Sequence, residues 1–276
     1  MQTLTEHACF GGTQRFYSHA SSSIGLPMRF AVYQPPKPTG AALVCLAGLT
    51  CTEETFAIKA GAQRMAAELG LTLLLPDTSP RATGIAGEDA EWDFGIGAGF
   101  YLDATAEPWA RHFRMESWLL REWLPLLVKA LGLDAARIGI TGHSMGGHGA
   151  LTLALRHPGT FGSLSALAPI AAASTCPWGE KAFSRYLGED RAQWASHDAS
   201  ALMQGARCPY PAGILVDQGL ADKFLAEQLR PEALEAACTA AGQPLTLRRH
   251  PGYDHGYFFI QSVVEDHLRW HAERLA

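Results

Sequence analysis

Residues 137–150 of the chain read RIGITGHSMGGHGA, and this stretch predicts the fold around it. Residues 137–141 have the composition of a buried strand, and residues 147–157 have the spacing of a helix. Between them, Gly142–Gly146 matches Gly-x-Ser-x-Gly, in which small residues flank a serine at a tight strand-to-helix turn. The pattern predicts a nucleophile elbow that holds the Ser144 hydroxyl clear of the backbone, beside a helix N-terminus. The alternative is a glycine-rich turn whose serine only caps the helix.

Short apolar runs alternate with helical patterns along most of the chain. Strands are predicted at 28–34, 42–47, 71–75, 137–141, 163–168, 213–217 and 245–250, and helices at 56–69, 113–131, 147–157, 221–241 and 257–273. Continuous apolar strands separated by helices indicate a mostly parallel sheet that is covered on both faces. The prediction is therefore a doubly wound α/β fold with its ligand site beyond the carboxyl ends of the strands.

Length and composition restrict the classes of protein to which the chain can belong. With 276 residues, 47% of them apolar, and no repeat or linker, residues 1–276 are expected to form a single domain. A net charge of −5 without a basic cluster argues against nucleic-acid binding, and no apolar run approaches the roughly 20 residues of a membrane span. Six cysteines without a Cys-x-x-Cys pair, behind a polar N-terminus, predict reduced thiols and a cytoplasmic location. The sequence contains no cluster of Cys and His residues that would indicate a metal-binding site.

One segment, residues 77–112, breaks the alternation of strands and helices. It has little periodicity and is rich in glycine, aspartate and aromatic residues, and loops of this length are often functional. Its aromatic side chains are expected either to line a pocket or to pack the segment onto the body of the protein, and the two interpretations have equal weight. They are Trp92, Phe94, Phe100, Tyr101 and Trp109.

A nucleophilic serine needs a general base and an acid that orients it, in the chain order serine, acid, histidine. His255 is the best base, because it lies on the loop between the last strand and the last helix. His267 and His271 belong to the last helix and are expected to face solvent or to pack. Asp217 and Asp222 both follow the preceding strand. Spacing favours Asp222 modestly, because Asp217 could instead tie down the loop by hydrogen bonds.

The negative charge that develops on a substrate oxygen needs two backbone N–H donors, which form an oxyanion hole. One donor is expected from Met145, which follows the serine. The other is expected from residues 48–51, directly after the apolar strand, where Gly48 lets the backbone approach a substrate closely.

Several longer segments are far more specific than the elbow. Taken together, the chain resembles the S-formylglutathione hydrolases, the esterase D branch of the α/β-hydrolases, over nearly its whole length. It departs from that pattern at residues 82–86 and at Gly256. The matching segments are 48–53 (GLTCTE), 76–81 (PDTSPR), 92–101 (WDFGIGAGFY), 103–105 (DAT), the elbow through residue 151, 176–179 (CPWG), 217–219 with Asp222, and 253–255 with 257–258.

The resemblance implies a Ser144–Asp222–His255 triad, an oxyanion hole formed by Leu49 and Met145, and no cofactor. It implies hydrolysis of the thioester S-formylglutathione to glutathione and formate, in a homodimer. A broad carboxylesterase or an acyltransferase would use the same triad. A non-catalytic binding protein derived from a hydrolase is disfavoured, because such proteins usually lose part of the triad.

Further residues are possible contributors to the same site. Cys51 lies next to the oxyanion loop, and the resemblance associates it with sensitivity to thiol reagents, although an unreactive buried thiol is the slightly preferred interpretation. Trp178, in a matching segment, is expected near the substrate. Four cations could bind glutathione carboxylates or could be ordinary surface charges: Lys59, Arg81, Arg111 and Lys181.

Overall fold

The central feature is one sheet of nine strands in the order β1-β2-β3-β5-β4-β6-β7-β8-β9. The structure is a computed structural model that describes residues 1–276. The six strands from β5 to β9 in that order run parallel, while β1, β2 and β3 add antiparallel neighbours at one side. The strands are β1 (Gln2–Cys9), β2 (Gly12–Ala20), β3 (Pro27–Gln34), β4 (Ala42–Leu46), β5 (Thr72–Pro76), β6 (Ile138–Gly142), β7 (Ser163–Leu167), β8 (Ile214–Gly219) and β9 (Leu245–His250).

Helices cover the sheet and build its carboxyl edge. They are α1 (Glu53–Lys59), α2 (Gln63–Leu69), α3 (Met115–Ser117), α4 (Leu124–Leu131), α5 (Met145–Arg156), α6 (Pro177–Tyr186), α7 (Arg191–Trp194), α8 (Ala199–Gly205), α9 (Pro231–Ala240) and α10 (Tyr257–Arg274). Every residue of β4 to β8 is buried, and side chains alternate between the two faces of a strand. Both faces of the sheet are therefore covered, and the mostly parallel α/β fold is confirmed.

The N-terminal hairpin of β1 and β2 was absent from the sequence-based prediction. β1 is almost wholly exposed and polar, and β2 is only partly buried, so neither carries the continuous apolar run of a central strand. Their ladder forms because β2 pairs along its full length with β3, whose apolar residues face the core.

Three predicted helices are shorter or more interrupted than expected. The helix predicted at 113–131 begins at Met115 and contains a π-helical stretch at residues 118–123, between α3 and α4. The helix predicted at 56–69 is divided into α1 and α2, because Gly61 adopts a φ of +71° that a continuous helix cannot contain. The helix predicted at 221–241 begins only at Pro231. Residues 225–229 instead form a single π turn, which ends at Arg230 with a φ of +50°.

The irregular segment 77–112 serves both predicted purposes, with a clear division between its aromatic residues. Phe94, Phe100, Tyr101 and Trp109 are buried and pack the segment onto the body of the protein. Trp92 alone is mostly exposed, at 57%, and its ring meets the edge of Trp178 at 5.7 Å.

Candidate active site

The turn between β6 and α5 presents Ser144 in a strained backbone conformation. Ser144 has φ 59° and ψ −118°, an unusual geometry for a residue with a β-carbon. The flanking glycines allow it for steric reasons. A Cβ on Gly142 would lie 2.1 Å from the carbonyl oxygen of Gly146, and one on Gly146 would lie 2.2 Å from that of Leu46. The structure therefore builds the predicted elbow and not a simple capping turn; no cap hydrogen bond is made by the serine.

Ser144, His255 and Asp222 form one chain of hydrogen bonds. The Asp222 Oδ2 atom lies 2.6 Å from His255 Nδ1, and His255 Nε2 lies 2.9 Å from Ser144 Oγ. Since an ionised carboxylate can only accept hydrogen bonds, Nδ1 carries the proton and donates a hydrogen bond to Asp222. The Nε2 atom is then free to accept the hydroxyl proton of Ser144. This is the relation of nucleophile, base and orienting acid that a serine hydrolase requires.

The Asp222 carboxylate is held by further donors and is shielded from water. Its Oδ1 accepts the backbone N–H of Phe224 at 2.8 Å, and its Oδ2 accepts the Gln218 side-chain amide at 3.3 Å. Its side chain is fully buried. These contacts fix which oxygen faces His255.

Asp217, the alternative acid, is bonded to residues other than His255. Arg248 donates to both of its carboxylate oxygens, and His267 Nε2 lies 3.1 Å from Oδ2. Although burial raises the pKa of Asp217, the hydrogen bonds from Arg248 and His267 outweigh that effect and lower it well below its usual value. Asp217 thus links β8 to β9 and to α10 through side-chain hydrogen bonds. This is the structural role that remained open for it from the sequence.

The loops that carry the acid and the base are bound to each other through their backbones. The Leu220 N–H donates to the His250 carbonyl and the Ala221 N–H to that of Tyr253, both at 2.9 Å. Gly219 permits this approach, since a Cβ there would lie 2.4 Å from the Tyr253 oxygen. The separation of Asp222 from His255 is therefore set by main-chain contacts.

The two predicted oxyanion donors, Leu49 and Met145, have N–H groups that make no hydrogen bond within the chain. Met145 begins α5, where no helical acceptor exists. Gly48 brings its loop close, because a Cβ on it would lie 3.1 Å from the Cβ of Ser144. The Tyr101 hydroxyl, which the sequence did not single out for this role, supports the loop by donating to the Ala47 carbonyl at 2.7 Å.

A small, largely apolar cavity of about 210 Å³ opens beside the serine. Phe224 forms part of its wall and contacts His255 edge-on, with ring centroids 5.1 Å apart, and Trp178 at 4.7 Å. Trp178 also lines the cavity. Phe224 was not singled out from the sequence, where its place two residues after the candidate acid is the only signal. The other lining residues are Gly48, Leu49, Thr50, Cys51, Trp92 and His143, with Ser144 and His255.

His143 and Cys51 are the two other titratable groups in the cavity wall. The His143 ring is buried 4.6 Å from that of His255, with no hydrogen-bond partner for either nitrogen. Burial, followed by the proximity of His255, places the pKa of His143 well below its usual value, so it stays neutral and adds no charge beside the base. Burial raises the pKa of the Cys51 thiol, although hydrogen bonds with Thr55 and Tyr257 oppose the shift.

The remaining sequence-based candidates occupy other places. His267 and His271 are buried and pack, with His271 hydrogen-bonded to Ser163 and Ser165. No group of three His, Cys, Asp or Glu side chains is arranged to hold a metal ion. None of the helices combines the length and the hydropathy that crossing a bilayer requires.

Comparison with known proteins places this geometry in a family. The Esterase family model matches residues 21–270. The chain is 50% identical over 277 residues to an S-formylglutathione hydrolase from Paracoccus denitrificans (strain Pd 1222), covering 99% of this chain and 98% of that protein.

Solved structures agree with this assignment. An S-formylglutathione hydrolase from Agrobacterium tumefaciens superimposes with a TM-score of 0.95 and 47% identity over the full length of both chains. A fluorophosphonate-binding serine hydrolase from Staphylococcus aureus, 19% identical, shares the fold with a TM-score of 0.74 over 95% of this chain and 98% of that one. The chain therefore has the α/β-hydrolase fold and belongs to the Esterase family, in which its close relatives are S-formylglutathione hydrolases.

Proposed function

We propose that the protein is a serine hydrolase that cleaves S-formylglutathione to glutathione and formate, the closing step of glutathione-dependent formaldehyde detoxification. Ser144 is the nucleophile, His255 the general base and Asp222 the acid that orients it. The observation that carries the proposal is the hydrogen-bonded chain from Ser144 Oγ through His255 to Asp222, at 2.9 and 2.6 Å. The 50% identity to an S-formylglutathione hydrolase over almost the whole chain supports the assignment of S-formylglutathione as the substrate.

Acylation follows from the positions of these atoms. His255 Nε2 takes the proton of Ser144 as Oγ attacks the thioester carbonyl, and Asp222 stabilises the imidazolium that forms. The N–H groups of Leu49 and Met145 stabilise the oxyanion, each such donor contributing roughly 3 kcal/mol. The carbon–sulfur bond then breaks. A thiol has a pKa of only about 8.5, so the glutathione thiolate leaves readily and takes the proton from His255.

Deacylation uses the same residues a second time. His255, neutral again, removes a proton from a water molecule that attacks the formyl-serine carbonyl. The oxyanion returns to the two N–H donors, and collapse of the intermediate expels Ser144 Oγ, which recovers its proton from His255. The products are formate and the free enzyme, with no cofactor in either step.

The cavity favours a small acyl group. Its volume of about 210 Å³ lies below the roughly 300–1,000 Å³ of typical ligand pockets. Trp178 and Phe224 contribute rigid aromatic walls on the side of His255. We propose that Trp178 contacts the substrate and that these walls limit the acyl group that fits.

The substrate assignment is tested by comparing kcat/KM for S-formylglutathione, S-acetylglutathione and 4-nitrophenyl acetate with one enzyme preparation. A large preference for the formyl thioester is the expected result. Comparable values for all three, or a preference for the aryl ester, would replace the proposal with a broad carboxylesterase. Transfer of the acyl group to an added alcohol or thiol in preference to water would indicate an acyltransferase.

The catalytic assignment is tested separately with Ser144→Ala. We expect this variant to lose turnover of every ester and to resist labelling by a fluorophosphonate probe, which the parent enzyme accepts. Appreciable activity in Ser144→Ala would refute the role of the serine. Failure of the parent to label would favour a non-catalytic binding protein.

We also propose that residues 1–276 form one domain and that the protein acts as a cytoplasmic homodimer. The single nine-stranded sheet and its continuous core support one domain. The resemblance to the S-formylglutathione hydrolases supports the dimer. Light scattering after size-exclusion chromatography measures the mass directly, and a monomer at micromolar concentration would contradict the dimer.

A further inference from the structure

The cations that the sequence suggested for binding glutathione carboxylates differ in their availability. Arg81 donates from two nitrogens to the carboxylate of Asp77, and Lys181 forms ion pairs with Glu91 and Asp93. A substrate carboxylate would have to displace these partners. Lys59 and Arg111 form neither an ion pair nor a cation–π contact, and Lys59 acts on the cavity-lining Cys51 only through its charge.

Lys223, which the sequence did not suggest, is exposed, forms no ion pair and lies against a residue of the cavity wall. Its ammonium nitrogen lies 4.8 Å from the centroid of the Phe224 ring, a cation–π distance, and no carboxylate lies within 4 Å of it. The same Phe224 ring forms the cavity wall and contacts His255. The backbone beneath is fixed, because the Phe224 N–H donates to Asp222. A positive charge is thus placed beside an aromatic residue of the cavity wall, and that same residue contacts the base.

The size of the cavity determines where the ends of a glutathione thioester must lie. An extended tripeptide spans roughly 10 Å, and its two carboxylates are at opposite ends, away from the sulfur. A cavity of about 210 Å³ holds the acyl group and the sulfur with its nearest atoms, but not the whole tripeptide. Its charged ends therefore stay at the rim, where side chains such as Lys223 remain in water.

We propose that Lys223 is a specificity-determining residue that binds a carboxylate of the glutathionyl leaving group at the rim of the cavity. The proposal rests on the assignment of a glutathione thioester as substrate. Because the interaction involves the part of the substrate that does not react, Lys223 acts on KM and leaves the chemical step unchanged. Neutral esters that lack the tripeptide do not experience it.

The test compares Lys223→Gln with Lys129→Gln, which removes an equally exposed and unpaired charge from α4, outside the cavity lining. Three substrates are used: S-acetylglutathione, its diethyl ester and 4-nitrophenyl acetate. We expect Lys223→Gln to raise KM for S-acetylglutathione about three- to fivefold, the range of an exposed ion pair, with kcat unchanged. Lys223→Glu should raise it further. Neither variant should raise KM for the diester or the aryl ester, and Lys129→Gln should match the parent throughout.

Salt provides a second readout that a purely structural role for Lys223 would not affect. The advantage of the parent over Lys223→Gln on S-acetylglutathione should shrink as sodium chloride rises from 0.02 to 0.5 M, because screening weakens an exposed ion pair. An unchanged KM for S-acetylglutathione, or an equal increase for all three substrates, would overturn the proposal.

These outcomes are distinguishable from failure of the proposed function. If S-formylglutathione proves a poor substrate, the assignment of the reaction fails, while the Lys223 comparison on S-acetylglutathione still gives its own result. If S-formylglutathione is strongly preferred and Lys223→Gln behaves as the parent, only the Lys223 proposal fails.

Discussion

Replacement of Asp222 by asparagine distinguishes an orienting acid from a merely structural one, because the local hydrogen bonds dictate how the amide must turn. The Phe224 N–H requires an acceptor, which the asparagine oxygen supplies in place of Oδ1. The amide NH₂ then faces His255 Nδ1, 2.6 Å away in the parent, and forces that nitrogen to accept. The proton of the ring moves to Nε2, which can no longer take the proton of Ser144. We expect kcat to fall about 10³- to 10⁴-fold.

Asp217→Asn is the matched control, and its effect falls on stability. Removing one partner of a buried ion pair costs about 3–5 kcal/mol, and Arg248 would keep only the exposed Asp266 as a carboxylate partner. At roughly 2–3 °C per kcal/mol for a chain of this size, the melting temperature should fall by about 6–15 °C. Below the melting temperature of the variant, its kcat should stay within about fivefold of the parent's, because Asp217 does not contact His255.

The two variants are compared by kcat on S-acetylglutathione at 20 °C and by thermal melting followed by circular dichroism. An Asp222→Asn variant that keeps more than a tenth of the parent's kcat would exclude the orienting role of Asp222. The same role would be excluded if Asp217→Asn lost kcat as severely as Asp222→Asn while its melting temperature stayed unchanged.

Three further predictions concern the elbow, acid stability and the cysteine. Gly146→Ala should lower kcat at least about 100-fold, because its Cβ would lie 2.2 Å from the carbonyl oxygen of Leu46. Gly205→Ala is the control and should match the parent, since open space surrounds that position. Equal kcat values for the two variants would contradict the steric explanation. Burial lowers the pKa of His148 from 6.5 to about 4, so the unfolded chain binds a proton that the folded one refuses, and stability falls as the pH drops from 6.5 towards 4. In His148→Phe, the loss of unfolding free energy between pH 7.5 and 4.5 should be smaller by about 2–3 kcal/mol, measured by urea denaturation at both pH values; an undiminished loss would exclude His148 as its source. Because burial raises the pKa of Cys51, iodoacetamide at pH 7.5 should alkylate it more slowly than it alkylates free glutathione, as measured by mass spectrometry. Faster alkylation that is absent in Cys51→Ser would instead favour a redox-sensitive thiol.

Local patterns in the sequence were sufficient for much of the parallel half of the molecule. Strands β4 to β8 are short, wholly buried runs. The more polar and partly exposed β9 nevertheless has the predicted bounds of 245–250. The elbow was equally readable, because its glycines are required by contacts within a few residues of Ser144 and with the adjacent strand. The N-terminal hairpin was not readable, because its polar strands are stabilised by pairing with β3 and not by an apolar pattern of their own.

The residues of the candidate site were likewise only partly identifiable from the sequence. The sequence indicated Ser144, His255 and the loop at Gly48, because in a parallel sheet the chain after each strand emerges at one edge. It could not decide firmly between Asp217 and Asp222, since both lie within a few residues of the same strand end. The structure separates them by their partners: Arg248 and His267 bind Asp217, and His255 binds Asp222.

The sequence by itself determined the fold class and the family and indicated the candidate nucleophile, because strand periodicity, the family's short segments and the steric needs of the elbow are local properties. Only the tertiary structure decided that Asp222 and not Asp217 contacts His255, that Phe224 and Trp178 line the cavity, and that an unpaired Lys223 lies against Phe224. These are contacts between side chains whose partners lie far away along the chain or depend on the direction in which a loop turns. Such contacts follow from the packing of the completed fold, and no local spacing encodes them.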